Sequence, residues 1–454
     1  MNANTHEAAG GPGLIRVLGL PDCVFFVVGS IVGTGIFLSA GNVVRKVPHP
    51  GLLLLVWALG GIHALAAGFT YAELGARRPD AGGAYTYIAE TYGALPAFLY
   101  NWAFSFVIQP GSVAALSVGF AEFLGVFVPS LGTRVPAFDV AGLRISQGQL
   151  VAVATSFAFT AWNILGIREG SRLNNALTVV KIASLTAFVV FGLAAPAAHF
   201  PSSAAPCPPA ILAAVGGAVA GVIWSYDGWI NVAALGAEVR NPPRNLAGGL
   251  VIGILIVIVL YLSANVVYLC AAPVEQLGAS PRAAETASRI LFGPGASRWL
   301  SAAVLISILG SLSANIVPAP RVLYATARDG RLPKAFGRLH PRHATPAFGL
   351  MFQALVGAVL TLSGTFDQIV ATVVSAGAVF YALGGAAIFV YRSRLPETPY
   401  RCPAYPFTPA LYVGSSLLFC VAITVDAPLD AAKGLVILAA GVAVYIWQVL
   451  RRAG

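Results

Sequence analysis

Two ionisable side chains inside long apolar stretches are the first candidates for chemistry in this sequence. Lys181 interrupts LTVVKIASLTAF, and Asp227 interrupts VIWSYDGWINVAALG. An Asp at membrane depth costs at least about 2.5 kcal/mol, so such a residue faces a cavity or a partner. An ammonium and a carboxylate placed there can bind polar ligands or exchange protons. No converging set of nucleophile, acid and base accompanies them, so the sequence predicts no catalytic site.

The stretch GSIVGTGIF, residues 29–37, carries glycines inside the first apolar run. Glycine costs about 0.8–1.0 kcal/mol in a helix interior relative to Ala. One interpretation is a packing face, because Gly29 and Gly33 form a GxxxG pair. The other is a break at Gly33-Thr34-Gly35 into two halves of about 18 Å, each shorter than the ~30 Å bilayer core. The N–H groups that start the second half would then favour an anion.

A second interruption favours the broken helix. Ser225, Tyr226, Asp227 and Gly228 fall near the middle of another apolar run, five runs later in the chain. Interrupted helices at corresponding positions of two halves indicate the binding site of a transporter built from inverted repeats. The first five runs and the next five would then form the repeats.

The composition fits a chain that crosses a membrane many times. Of its 454 residues, 57% are hydrophobic and only 10% are charged. Soluble domains carry about 25% charged residues, which excludes an ordinary soluble enzyme. Because a membrane helix needs about 20 apolar residues, the sequence predicts an all-α integral membrane protein with 12 transmembrane helices. The predicted spans are 18–45, 51–77, 94–128, 148–166, 173–195, 210–239, 246–272, 296–327, 346–363, 367–391, 407–426 and 431–450.

The distribution of positive charge predicts the orientation. With the N-terminus inside, most Lys and Arg residues fall in cytoplasmic loops and tails, as the positive-inside rule requires. Both termini are therefore predicted to be cytoplasmic, in a cell membrane. The net charge of +10 needs no nucleic-acid partner. The predicted organisation is a cytoplasmic tail (1–17), a first repeat (18–200), a second repeat (201–395) and two final spans with a cytoplasmic C-terminus (396–454).

Other polar residues give weaker signals. The five Cys are scattered and the six His show no ligand spacing, so no metal and no cofactor is predicted. His63, Glu73 and Glu122 lie within predicted spans but have no matching partners in the motifs, and we place them outside the site. The basic segment from Arg321 to Arg342 could form a cytoplasmic gate or contact anionic lipid, although the positive-inside rule alone explains it.

Five motifs resemble one transporter family in order along nearly the whole chain. They are GSIVGTGIF (29–37), YAELGARRPDAGGAYTYI (71–88), NILGIREGSRLNNALTVVKI (163–182), WSYDGW (224–229) with EVRNPPRNL (238–246), and PRVLYATARDGRLP (320–333). The sequence is similar to the amino acid–polyamine–organocation (APC) superfamily, most of all to its L-type amino acid transporter branch and bacterial relatives. Any one of these motifs is weak evidence for the family, but five of them in the same order along the chain are specific.

The resemblance implies the leucine-transporter type of fold, with 5+5 inverted repeats and broken helices 1 and 6. A small amino acid would lie between the breaks, its carboxylate on amides around Thr34. Its ammonium would meet carbonyls of Ile31, Trp224 and Asp227. The substrate-binding residues implied in this way are Ile31, Gly33, Thr34, Gly35, Trp224, Ser225, Tyr226 and Asp227.

Three positions keep alternatives open. Trp224 aligns with the aromatic residue that closes over substrate in the family, but it could also be a packing residue. Asp227 could steer a cationic substrate or counter-ion, or bond N–H groups of the unwound turn. Ile230 follows the motif where many relatives carry a polar residue, and Asn231 comes one position later, which leaves side-chain selectivity undetermined.

Lys181 is the coupling candidate. It could snorkel towards the interface. The resemblance instead implies that its ammonium reaches the unwound part of the first span, where sodium-coupled relatives of the fold hold a sodium ion. Burial could make that group exchange protons. Sodium independence is therefore predicted, while proton symport and obligatory exchange both stay open.

The predicted function is secondary active transport of L-amino acids by alternating access. The alternative is a basic amino acid or polyamine antiporter of the same superfamily. A channel would need a ring of like residues or filter carbonyls, and none is visible. In animal members of the branch, a Cys between spans three and four tethers a heavy chain. Residues 129–147 contain no Cys, so a chain that functions singly in the bilayer is predicted.

Overall fold

A computed structural model describes residues 13–140, 143–199, 211–280, 283–363, 366–395, 397–426 and 428–453. Most of the predicted N-terminal tail lies outside these residues. So do the predicted boundary between the repeats at 200 and 201 and the start of the final segment at 396. The described chain is almost wholly helical, and its helices occupy the predicted apolar runs.

The N-terminal part of the chain contains eight helices among the described residues. They are α1 (Leu20–Ile31), α2 (Ala40–Lys46), α3 (Pro50–Arg77), α4 (Ala84–Tyr92), α5 (Ala94–Ala103), α6 (Gln109–Leu124), α7 (Gln147–Ile164) and α8 (Ile167–Ala194). A π-helical turn, Phe104–Ile108, joins α5 to α6. Strands β1 (Pro136–Val140) and β2 (Leu143–Ser146) form an antiparallel hairpin before α7.

The C-terminal part is also helical. Its helices are α9 (Ile211–Tyr226), α10 (Pro242–Ala271), α11 (Val274–Ala279), α12 (Ala283–Phe292), α13 (Pro294–Ile316), α14 (Pro318–Arg328), α15 (Ala347–Ser363), α16 (Phe366–Arg394), α17 (Phe407–Asp426) and α18 (Pro428–Ala453). Among the described residues, six helical segments are long and apolar enough to cross a membrane. They are Pro50–Arg77, Ala94–Leu124, Ile167–Ala194, Pro242–Ala271, Pro294–Arg328 and Gly434–Arg451.

Both interrupted helices are broken where the sequence predicts. Helix α1 ends at Ile31, three residues follow in bends, and a π-helix, Gly35–Ser39, leads into α2. Helix α9 ends at Tyr226, and Gly228 adopts the left-handed region with φ +109°, which glycine tolerates best. A 3₁₀-helix, Trp229–Ala234, continues the chain.

Helix α1 lies in the centre of the molecule against α8, α10 and α13. At its start, the carboxylate of Asp22 accepts a hydrogen bond from the Gly19 N–H (2.8 Å), which satisfies one of the free donors of the first turn. Helix α8 is two-sided, because its buried residues recur at helical spacing from Gly170 to Gly192 while Val190 and Phe191 are exposed. One face of α8 therefore packs on α1, and the other faces outward.

Candidate functional site

The two broken helices cross in close contact at their interruptions. A Cβ on Gly35 would lie 2.7 Å from the Ser225 Cα, and a Cβ on Gly228 would lie 2.8 Å from the Ser30 carbonyl oxygen. Only glycine fits such approaches without displacing backbone. The glycines of the two motifs thus allow the two breaks to form one site.

A small cavity of about 30 Å³ lies between the breaks. Six of the predicted substrate-binding residues line it: Ile31, Gly33, Thr34, Gly35, Trp224 and Asp227. The remaining lining residues are Ser30, Ser112, Leu116, Gly228 and Asn315. Residues separated by almost 200 positions in sequence therefore meet around one small space, as the interruptions predicted.

The first break presents unpaired hydrogen-bond donors to this cavity. The N–H groups of Gly33, Thr34 and Gly35 make no hydrogen bond to the rest of the described chain. The buried hydroxyls of Ser30 and Thr34 also have no partner there. Unpaired N–H groups at the start of a helix bind anions, because they add to the positive end of its dipole. The site can therefore hold a carboxylate.

The freed carbonyls of α1, in contrast, are occupied by side chains. Lys181 is buried (1% exposed) and donates from Nζ to the Gly29 carbonyl oxygen (2.9 Å) and to Ser311 Oγ (2.8 Å). The Lys181 ammonium thus lies within the protein beside the broken helix, and the snorkelling interpretation is wrong. It lies outside the residues that line the cavity and supports the site from behind.

A polar ladder on α13 holds the same end of α1, and the sequence reasoning missed it. Ser307 and Ser311 lie 3.2 and 2.7 Å from the Val32 carbonyl oxygen, and Asn315 donates to the Ser30 carbonyl oxygen (3.2 Å). The three recur every four residues in SILGSLSAN, which puts them on one helix face. That spacing within an apolar helix was the available signal.

The second break keeps part of its polar surface free. The Asp227 carboxylate accepts from the Tyr381 hydroxyl at Oδ2 (3.2 Å), and its Oδ1 has no partner among the described residues. Trp224 is half-buried beside it, and its carbonyl oxygen already accepts from the Asp227 N–H (3.1 Å). A free carboxylate oxygen and an aromatic face can contact a substrate side chain.

Two predicted residues lie beside the cavity rather than on its wall. Ser225 donates to the Gly221 carbonyl oxygen (2.8 Å). The Tyr226 ring is buried against Trp57 and Tyr261, with ring centroids 6.0 and 5.0 Å apart. Their side chains therefore shape the second break from outside.

The carbonyl of Ile31 lines the cavity, but it already accepts a hydrogen bond from the Tyr261 hydroxyl (3.1 Å). Its second lone pair is the one left for a ligand. Gly29 supports the packing interpretation as well, since a Cβ there would come within 2.5 Å of Asn174 Oδ1 on α8. In this motif Gly29 serves helix packing, while Gly33 and Gly35 serve the break.

The ionisable residues left outside the site have structural partners. Glu73, which the sequence places beside Arg77 and Arg78, is fully buried and accepts from Arg77 (2.7 Å) and Arg392 (2.6 Å). His63 pairs with Ser415 Oγ at 2.8 Å. The Glu122 carboxylate accepts from the hydroxyl of Thr133. These contacts tie helices together at a distance from the cavity lining.

A buried ion pair lies at the base of the second broken helix. Arg321 and Glu238, each 1% exposed, form two hydrogen bonds of 3.0 and 3.1 Å. The Glu238 carbonyl oxygen also accepts from the N–H of Leu18, just before α1. Because Arg321 is buried in this pair, it does not contact lipid.

Comparison with known proteins decides the family. The family model described as amino acid permease matches residues 18–447. The chain belongs to the amino acid permease family. Its resemblance to the APC superfamily, and there to the L-type branch and bacterial relatives, is confirmed. This permease is an amino acid transporter and a multi-pass membrane protein, not an enzyme.

Named relatives cover most of the permease. It is 28% identical to the serine/threonine exchanger SteT of Bacillus subtilis, over 97% of this chain and 98% of SteT. It is 30% identical to the human b(0,+)-type amino acid transporter 1, over 86% of this chain and 79% of that protein. It is 28% identical to the human large neutral amino acids transporter small subunit 2, over 97% of this chain and 83% of that protein.

Proposed function

We propose that this permease moves small L-amino acids by alternating access, with the substrate held in the cavity between the two broken helices. The observation that carries the proposal is the set of unpaired N–H groups at Gly33, Thr34 and Gly35, which lines one cavity together with Ile31, Trp224 and Asp227. Donors on one wall and acceptors on the other suit a zwitterion, whose carboxylate and ammonium need opposite partners.

The substrate's main-chain groups would occupy the two breaks separately. The carboxylate would accept from the three N–H groups of the first break and from the Thr34 hydroxyl. The ammonium would donate to the free lone pairs of the Ile31 and Trp224 carbonyl oxygens and to the Asp227 carbonyl oxygen. Trp224 would cover the substrate side chain, since its half-buried ring lies on the cavity wall.

The groups that line this cavity suit two substrate classes. The name of SteT favours small hydroxylated amino acids, and the Asp227 Oδ1 without a protein partner can accept from such a hydroxyl. The same oxygen beside the Trp224 ring also suits a cationic side chain. The basic amino acid antiporter is therefore the second candidate, and Asp227 is the residue that decides between them.

The coupling is proposed to be sodium-independent. The Lys181 ammonium bonds the Gly29 carbonyl and Ser311, where the resemblance implies a sodium ion in sodium-coupled relatives of the fold. A fixed positive charge in contact with these oxygens disfavours a second cation. Exchange and proton symport both remain compatible with Lys181.

The proposed membrane layout keeps the full sequence prediction. It has 12 transmembrane helices in a 5+5 inverted repeat (18–200 and 201–395), two further spans in 396–454, and both termini in the cytoplasm of the cell. In support, α1 and α9 are broken at equivalent places. Because 129–147 holds no Cys, the permease is proposed to work without a disulfide-linked heavy chain.

Counterflow in proteoliposomes tests this function. Vesicles preloaded with unlabelled L-serine, or with L-lysine in a parallel set, receive the same labelled amino acid outside. We expect accumulation of label without sodium, and the set that accumulates identifies the substrate class. A strict sodium requirement would contradict the proposal, and imposed pH gradients separate proton symport from exchange.

A further inference from the structure

A buried polar face runs along α8 from the end of the helix near Asp22 to Lys181. Its members are Ser171, Asn174, Thr178 and Lys181, exposed by 8, 2, 0 and 1% respectively. They follow one another at three- and four-residue spacing, so they form one stripe facing α1. From Ser171 to Lys181 the stripe covers ten helical steps, or about 15 Å of helix.

The outer end of this stripe is anchored on a carboxylate. Asp22 Oδ1 accepts from Asn175 Nδ2 (2.6 Å) and from Ser171 Oγ (3.1 Å). Asp22 lies in the first turn of α1 and is only half-buried. This end of the stripe therefore reaches solvent, on the side that the proposed layout makes cytoplasmic.

The middle of the stripe contains an amide that the protein leaves unsatisfied. Asn174 is only 2% exposed, yet neither its Nδ2 nor its Oδ1 has a hydrogen-bond partner among the described residues. The neighbouring Asn175 Oδ1 also has none among them. A buried amide without partners costs about 1–3 kcal/mol. Buried water commonly satisfies such groups in proteins, because it is small and supplies both a donor and an acceptor.

The inner end of the stripe has a free donor. Lys181 Nζ has two protein acceptors, the Gly29 carbonyl oxygen and Ser311 Oγ. An ammonium has three N–H groups, so one is left for a water molecule. Asn174 Oδ1 lies against Gly29, the residue whose carbonyl binds Lys181. The unsatisfied amide therefore adjoins the Lys181 site.

We propose that this stripe, with Asp22, is a hydrated route through which the Lys181 ammonium exchanges protons with the cytoplasm. The inference rests on the proposed function, which gives Lys181 the coupling role. Nζ passes one proton to the adjacent water, and the last water passes one to the Asp22 carboxylate, which releases it to solvent. The neutral amine keeps two N–H groups for Gly29 and Ser311, so α1 stays held in both states.

The neighbouring helices offer few competing groups. The titratable residues on the elements packed against α8 are Asp22 and Cys23 on α1, Arg244, Tyr261, Tyr268 and Cys270 on α10, Glu285 and Arg289 on α12, and Arg298 on α13; α8 itself adds Arg168, Glu169 and Arg172. The hydroxyls of Tyr261 and Tyr268 bond carbonyls of Ile31 and Ile36. The Asp22 carboxylate accepts a hydrogen bond from Ser171 of the stripe.

The first test measures water access independently of transport. In full-length protein with its native cysteines replaced, Asn174→Cys and the matched Leu185→Cys are treated with 2-aminoethyl methanethiosulfonate from the cytoplasmic side, with a thiol scavenger outside. Leu185 is a buried residue (3% exposed) on the same face, beyond Lys181. Because this reagent needs a hydrated thiolate, we expect about tenfold faster modification at 174. Equal rates at the two positions would overturn the route.

The second test measures the proton itself. Exchange of the labelled amino acid identified by counterflow is followed after a step in cytoplasmic pH. Asn174→Leu, which fills the space with an apolar group, should slow the response about tenfold, whereas Asn174→Ser should keep the wild-type rate. If the wild type responds to cytoplasmic pH and the Asn174→Leu variant responds at the same rate, the route is overturned, while the proton role of Lys181 still stands. A wild type indifferent to cytoplasmic pH would contradict the proton role of Lys181 as well.

Discussion

The two broken helices differ in how the protein treats the backbone groups that each break releases. At the first break, the carbonyls from Gly29 to Val32 accept side-chain hydrogen bonds from α8, α10 and α13. At the second, a left-handed glycine and a 3₁₀-helix re-form local bonds, and one Asp227 oxygen has no partner in the part of the chain that the structure describes. The first break is therefore held by side chains of neighbouring helices, whereas the second is held mainly by hydrogen bonds within its own turn.

This difference assigns separate tasks to the two halves of the site. A braced backbone with free N–H groups suits the part common to all amino acids, the carboxylate, because its geometry is fixed in advance. The second break offers side chains, Trp224 and Asp227, that can distinguish one substrate side chain from another. Changes to the bracing should abolish transport, while changes at the second break should alter selectivity.

The largest effect is expected from Lys181→Met. It removes the charged donor shared by the Gly29 carbonyl oxygen and Ser311 Oγ and leaves the Ser311 hydroxyl as the remaining side-chain donor to that carbonyl. Losing a hydrogen bond to a charged group costs about 1.5–3 kcal/mol, which corresponds to about 10- to 100-fold in transport rate. Uptake per folded protein in proteoliposomes measures it. Val179→Met, on the outward face of α8, is the control and should transport normally. Normal uptake by Lys181→Met would show that the first break needs no bracing.

Gly228→Ala tests whether the two breaks must touch. The added Cβ would meet the Ser30 carbonyl at 2.8 Å in a backbone conformation with positive φ, which costs about 1–2 kcal/mol before any clash. We expect transport to fall by at least about tenfold. Gly216→Ala, on the same broken helix with no atom within 4 Å of the new Cβ, is the matched control. Equal activity of the two variants would refute the contact as a requirement.

Trp224→Ala tests the covering role of the aromatic ring. The side chain lines the cavity and is half-buried, so its removal should lower uptake by about tenfold while expression and thermal stability stay near wild type. Trp224→Phe keeps an aromatic face and should recover most of the activity. Wild-type uptake by Trp224→Ala would show that Trp224 is a packing residue only.

Asp227→Asn should have the smallest effect on total transport activity and the clearest effect on substrate selectivity. The neutral amide keeps the contact with Tyr381 but loses the attraction for a cation. The carbonyl oxygens that would hold the substrate ammonium are unchanged, so we expect only a small loss for a neutral amino acid. If basic amino acids are carried, we expect a loss of about tenfold for them. Competition between labelled L-serine and unlabelled L-lysine measures the ratio. An unchanged ratio would assign Asp227 to structure rather than selectivity.

Local sequence predicted the breaks, because glycines and a carboxylate in an apolar run are costly unless they serve a cavity. Resemblance placed Lys181 beside the first break. The Ser307, Ser311 and Asn315 ladder was missed because short polar side chains are tolerated in membrane helices, and only tertiary packing shows which backbone they bind. The same limit hid the Tyr261 bond to Ile31 and the Tyr381 bond to Asp227.

The most direct measurement of the central claim compares amino acids with their decarboxylated amines by thermal shift of the purified permease. The pairs are L-serine with ethanolamine and L-lysine with cadaverine. A ligand present at about 100 times its Kd stabilises a protein by about 2.7 kcal/mol. The amino acid of the transported class should therefore raise the Tm. Its amine should not, because it lacks the carboxylate that the N–H groups of Gly33, Thr34 and Gly35 bind. Equal stabilisation by the amine would contradict the assignment of the first break to the carboxylate.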